Sequence, residues 1–127
     1  MRIAICAPFM KSDIWQERLR HAVPGCNMEF DEFYCPEDVR NAHRFRYHAC
    51  VVAMAGAVGM ESAVAARERD TGLPILWLSD DDHFSLIAYN LQVAMFLKLD
   101  CSDRELADAV LRFGSGRKEK SYDCIAL

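Results

Sequence analysis

The sequence predicts an α/β domain, a parallel sheet with helices on both faces. Short apolar runs, most plainly HACVVAM and PILWL, alternate with segments of helical spacing, the pattern of strands feeding crossover helices. Turn residues separate the two kinds of segment throughout. The length, 127 residues, suits one core.

Taken in order, Arg2–Ala7 (RIAICA) reads as the first strand. Ser12 offers an N-cap, and Asp13 to Val23 carries Ile14, Leu19, Ala22 and Val23 at helical spacing until Pro24-Gly25 ends the helix. Met28 to Phe33 alternates apolar and acidic residues, as an edge strand with one wet face does. Pro36 to Arg44 opens with proline and two acids, favourable first-turn chemistry for a short helix. His48 to Met54 is the most continuous buried strand. Glu61 to Arg69 is an alanine-rich helix closed by Thr71-Gly72. Pro74 to Leu78 is the fourth strand. A helix beginning near Phe84 leads to the fifth, Val93 to Leu99, read as short and buried. Ser102 with Glu105 forms a capping box for a last helix ending near Phe113. Residues 1–113 are thus expected as one domain and residues 114–127, starting at Gly114-Ser115-Gly116, as a flexible tail.

Composition narrows the function. A net charge of -4 argues against a nucleic-acid groove, which needs clustered Lys and Arg. Arg117, Lys118 and Lys120, interrupted by Glu119, are expected to be the only basic cluster, a solvated tail. No run reaches membrane-spanning length and no signal peptide is read, so a cytoplasmic protein with reduced thiols is expected. Of the six cysteines, Cys6 and Cys50 lie in strand-like runs, where Cys acts as a small hydrophobe. No Cys/His spacing suggests zinc; no metal or cofactor is expected. Cys124-Ile125-Ala126-Leu127 matches a prenylation pattern and is read as a chance match.

The segment Phe84–Leu99 with Asp100, the opening Ile3–Cys6 and the stretch Ala88–Leu99 resemble response-regulator receiver domains, most closely those preceding LytTR-type DNA-binding domains. The resemblance spans the chain to Phe113. It implies a flavodoxin-like sandwich with strand order 2-1-3-4-5 and function at the carboxyl ends of the strands. Receivers place two Mg²⁺-binding acids after the first strand, where this chain has Ala7 and Pro8. The phosphoacceptor Asp falls on Ala53, or on Met54 if the loop is aligned through Gly59-Met60-Glu61. The hydroxyl after the fourth strand survives as Ser79, and the switch aromatic of the fifth strand is Phe96. The Lys-Pro after that strand falls on Leu99 and Asp100, with Lys98 turned to the opposite face by strand alternation. Ala, Pro, Met and Leu neither coordinate a hard cation nor accept a phosphoryl group.

The expectation is therefore a stand-alone, non-enzymatic, phosphorylation-independent receiver-like module with a protein partner. In receivers the face of the fourth helix, fifth strand and fifth helix carries dimer and partner contacts; here it comprises Phe84, Ile87, Tyr89, Asn90, Met95 and parts of Asp103–Leu111. Two alternatives stay open. Cys6, at the end of the first strand, could serve a phosphocarrier or enzyme of the sugar-phosphotransferase IIB type. The C-x5-R loop of small tyrosine phosphatases fails at Ser12, and Ala7-Pro8-Phe9-Met10 is bulkier than a IIB loop. The vacated pocket could also bind a small ligand. Asp80-Asp81-Asp82 is read as helix N-terminal chemistry, with Asp82 as cap and His83 in water.

Overall fold

Five strands of mostly β-branched and apolar residues pair in parallel, in the order β2-β1-β3-β4-β5. The computed structural model describes residues 1–113; the expected tail, 114–127, lies outside them. The elements are β1 (Arg2–Cys6), α1 (Ser12–Ala22), β2 (Glu29–Phe33), α2 (Pro36–Asn41), β3 (Ala49–Ala53), α3 (Gly56–Arg69), β4 (Ile75–Ser79), a 3-10 turn (Asp82–Phe84), α4 (Ser85–Asn90), β5 (Met95–Lys98) and α5 (Asp103–Phe113). The expected flavodoxin-like sheet is the one observed.

Strand alternation divides the interior into two cores. Ile3, Ile5, Val51, Leu76 and Leu78 face Trp15 and Leu19 of α1 and Leu106 and Val110 of α5. Ala4, Cys6, Cys50, Val52 and Trp77 face Val39 of α2, Ala63 and Ala66 of α3 and Ala88 of α4. The alanines of α3 bring its backbone close to the sheet, where larger side chains would hold it away. Arg18 links α1 to the β5–α5 loop. Its guanidinium lies 4.6 Å from the Trp15 ring and donates to Asp103 and to the Cys101 carbonyl, both at 3.0 Å.

Several boundaries differ from the sequence reading. Ser12 is not the cap of α1. It is the first helical residue, buried, donating to Glu32 Oε1 (3.1 Å) and accepting from Gln16 (3.1 Å). The hydroxyl thus ties the start of α1 to β2 and leaves the cap position to Lys11. α2 ends at Asn41 because Arg69 donates to the carbonyls of Val39 (2.8 Å) and Arg40 (3.0 Å), satisfying orphan acceptors at its end. α3 begins at Gly56, well before Glu61. β5 is a half-exposed edge strand, not a buried one. The Ser102/Glu105 capping box forms as expected, with Glu105 N–H donating to Ser102 Oγ at 3.1 Å and Ser102 N–H to Glu105 at 3.2 Å.

Cys6, Cys35, Cys50 and Cys101 are free thiols. Cys26 lies in the turn after α1, only partly buried.

Candidate functional site

The loops after β1, β3, β4 and β5 open at one end of the sheet. Ala7 continues β1 inward and is fully buried, held by its N–H donating to the Phe33 carbonyl at 3.1 Å. Ala53 closes β3, also buried. Both belong to the core beneath α1 and α5, and Leu99 packs against that same core. The fold therefore brings Ala7, Ala53 and Leu99 to one apolar cluster. Pro8 is exposed at the loop beyond. Met54 turns to the other face, buried, with its sulfur accepting from Ser62 Oγ at 3.4 Å. The Leu99–Asp100 peptide is trans.

Ser79 is buried, and its hydroxyl accepts the Asp81 N–H at 3.3 Å, an ordinary turn contact. Ser79 pairs in register with Lys98, whose ammonium lies 3.5 Å from Asp82 across the sheet edge. Phe96 shares the Trp77 side of the sheet, edge-on to that indole at 5.1 Å.

The acidic triplet diverges. Asp80 Oδ1 accepts the Gly56 N–H at 2.8 Å, joining the β4 loop to the start of α3. Asp81, not Asp82, is the cap: it accepts the His83 N–H at 2.8 Å, and His83 Nδ1 lies 2.7 Å from the same oxygen. That backbone bond, and then the ring contact, lower the Asp81 pKa. Asp82 turns to Lys98 instead. Three carboxylates with three different partners do not converge on one ion.

Cys6 is no better placed as a nucleophile. Its sulfur is 3.9 Å from that of Cys50, both fully buried. The thiol–thiol contact, reinforced by burial, pushes the Cys6 thiol well above its ordinary range, leaving it protonated at neutral pH where a nucleophile needs thiolate. Iodoacetamide at pH 8 is expected to leave Cys6 unmodified in the native protein and to label it fully in urea, read by peptide mass mapping. Native labelling at the rate of an exposed thiol would reopen the phosphocarrier reading.

Of the five residues expected on the α4–β5–α5 face, Tyr89 is 80% exposed and Asn90 is exposed. Phe84 instead stacks on Trp77, centroids 5.7 Å apart, because the 3-10 turn rolls it against β4. Ile87 and Met95 also pack partly against the two cores. Leu86, 68% exposed and one turn before Tyr89, was not singled out by the sequence reading. Its spacing from Tyr89, i and i+3 on one helix face, is the signal that could have found it. A basic row was missed as well. Arg40, His43, Arg44 and Arg46 are exposed around the α2–β3 loop, and with Arg69 the last three line a cleft of about 550 Å³. The terminal Arg117, Lys118 and Lys120 are thus not the chain's sole basic cluster.

No protein-family model and no curated protein matches the sequence. Solved structures do. The non-phosphorylated HemR receiver domain of Leptospira biflexa superimposes with a TM-score of 0.70 at 18% identity, covering 90% of this chain and 94% of that one. A signal receiver domain from Clostridium thermocellum gives 0.73 at 13% identity, covering 89% and 96%. The fold is that of a receiver domain. A LuxR-family response regulator from Aurantimonas reaches 0.70 at 18% identity over 97% of this chain and 91% of its own. The BeF3-activated DrrB receiver domain matches at a TM-score of 0.64, so the receiver fold is shared with both an activated and a non-phosphorylated example. Among the described residues, no helix of this receiver fold is long and apolar enough to cross a membrane.

Proposed function

We propose that this chain is a signalling module of the receiver type that works without phosphorylation, through contacts with another protein. The carrying observation is the apolar cluster of Ala7, Ala53 and Leu99, at the positions where the receiver likeness implies a metal-binding acid, the phosphoacceptor and the lysine. An acyl phosphate needs a carboxylate to form on, and Mg²⁺ needs hard oxygen ligands; three hydrocarbon side chains offer neither. Asp80, in the adjacent loop, is engaged by the Gly56 amide. Packing of Leu99 against this cluster also leaves less room for the small-ligand reading.

Acetyl phosphate or beryllofluoride with Mg²⁺ is expected to leave the amide NMR spectrum and the intact mass unchanged. A phosphoryl adduct on any carboxylate would overturn the reading. With no phosphate to bias it, a two-state element stays at its resting population, so the contact surface is constitutive. We assign that surface to α4, where Leu86 and Tyr89 are exposed on successive turns, together with Asn90 and the adjoining parts of β5 and α5. Tyr89→Ala is expected to weaken self-association or partner binding by about 1–3 kcal/mol, measured by calorimetry, while Ser79→Ala leaves it unchanged. The opposite pattern would place function in the pocket.

A further inference from the structure

At the corner where the β1–α1 loop meets the end of β2, four large apolar side chains stand in water. Phe9 is 70% exposed, Met10 81%, Ile14 58% and Tyr34 36%. Phe9 meets Tyr34 edge to face with centroids 5.3 Å apart, and Met10 adjoins Phe9 in the chain. The turn that carries Met10 runs directly into α1, with Lys11 and Ser12 N–H groups donating to the Pro8 carbonyl at 2.8 and 3.0 Å and Trp15 N–H to the Lys11 carbonyl at 3.2 Å. Ile14 stands in the first turn of the helix into which this turn leads. Scattered apolar residues on a surface need no explanation, but a contiguous cluster does.

Acids ring the patch. Tyr34 donates its hydroxyl to Glu32, and its N–H donates to Asp38 at 3.1 Å. Asp13 lies close enough for its charge, with those of Glu32 and Asp38, to raise the Tyr34 pKa, after the larger effect of the Glu32 hydrogen bond and of desolvation. Glu32 is held ionised by the donors Tyr34, Gln16 and Ser12, and none of those three carries a positive charge. Lys11, exposed on the same turn, offsets one of the three negative charges.

We propose that this corner is a docking surface for a basic amphipathic segment of a partner protein, with Phe9 and Met10 as its apolar anchors and Asp13, Glu32 and Asp38 as its charged rim. The inference rests on the reading of the chain as a contact module and names the chemistry of a partner; the surface is separate from α4. An apolar patch with an acidic rim selects a helix that is apolar on one face and carries Lys or Arg beside it. The rim repels nucleic-acid phosphates and anionic lipid headgroups alike. A second copy of this chain could present its basic row near Arg44 and Arg46. Phe45, between them, is buried, so the row brings charge with little apolar surface for Phe9 and Met10 to cover.

The probe is a fluorescent peptide of leucine and lysine at helical spacing, with its leucine and glutamate counterpart as control, titrated with the full chain. The lysine peptide is expected to bind, more weakly as salt rises, and the glutamate peptide not to bind. The double variant Phe9→Ser/Met10→Ser should lower affinity by about tenfold or more, and Asp13→Lys by a smaller factor. Both variants change exposed side chains, and an unchanged thermal midpoint confirms that they fold. Tyr89→Ala should bind the peptide as the parent does. Equal binding of both peptides, or no binding of the lysine peptide, overturns the proposal. So does loss on Tyr89→Ala with Phe9→Ser/Met10→Ser neutral, though that outcome leaves the α4 contact surface standing. Concentration-dependent self-association in sedimentation, removed by Phe9→Ser/Met10→Ser, overturns it in favour of a second copy.

Discussion

Trp77→Ala is expected to destabilise the protein by about 3–5 kcal/mol, the range for deleting a large buried aromatic. Trp77 is the largest fully buried side chain among the described residues. It sits in central strand β4, with Phe84 stacked at 5.7 Å and Phe96 edge-on at 5.1 Å. The neighbours cannot collapse into the void, since Phe84 is anchored by the 3-10 turn and Phe96 by its β5 pairing. Trp77→Phe should behave differently. The indole Nε1 is buried without a hydrogen-bond partner, and an unsatisfied buried donor costs about 1–3 kcal/mol. Phenylalanine removes that donor along with some packing, so the two effects oppose each other and the net loss should stay below about 2 kcal/mol. Urea denaturation of both variants provides the measurement. A Phe variant as unstable as the Ala variant would mean that Nε1 is satisfied in solution, by water for example.

The order of elements was legible because buried parallel strands write themselves as unbroken apolar runs. Ala49–Ala53 and Ile75–Ser79 are buried at every residue, and β1 is buried from its second residue on. Helix limits were harder, and the physical reasons are particular. Gly56 and Gly59 read as loop, whereas Gly59 lies inside α3 where the helix touches the β3 loop. Arg69, thirty residues from Val39, decides where α2 stops, and no local window contains both. Ser12 is not a cap because its hydrogen-bond partner, Glu32, comes from β2, twenty residues on.

The candidate site divides in the same way. That Ala7, Ala53 and Leu99 stand where a receiver would need charge is visible from the residues alone. That Lys98 turns away follows from strand alternation in the sequence; that the three pack into one core while Met54 turns from it follows only from the register of each strand with its neighbours. The basic row around Arg44 and Arg46 was hidden by a net charge of -4 and by its interleaving with the core aromatics Phe45 and Tyr47. The Phe9–Tyr34 corner joins two loops distant in sequence, and composition carries no trace of it.

Gly59→Ala should destabilise the protein by about 3 kcal/mol or more. The substitution looks harmless from sequence. Alanine is favoured over glycine inside a helix by about 1 kcal/mol, and it also restricts the unfolded chain. The local geometry reverses the sign. A Cβ on Gly59 would lie 2.1 Å from the Met54 carbonyl oxygen and 2.9 Å from its carbon, both far inside contact distance. The obstruction is backbone, so no rotamer change relieves it. Met54 itself is buried and held against Ser62. The first turn of α3 must therefore move away from the sheet, and the Asp80 bond to the Gly56 amide breaks as it goes. Overpacking usually costs about 1–3 kcal/mol; an unyielding backbone contact puts this variant at the upper end or beyond. Urea denaturation should show the loss, and hydrogen exchange should show it concentrated in residues 56–62. A neutral or stabilised Gly59→Ala protein would mean that α3 approaches β3 less closely, and that the start of α3 owes its position to the Asp80 contact rather than to glycine.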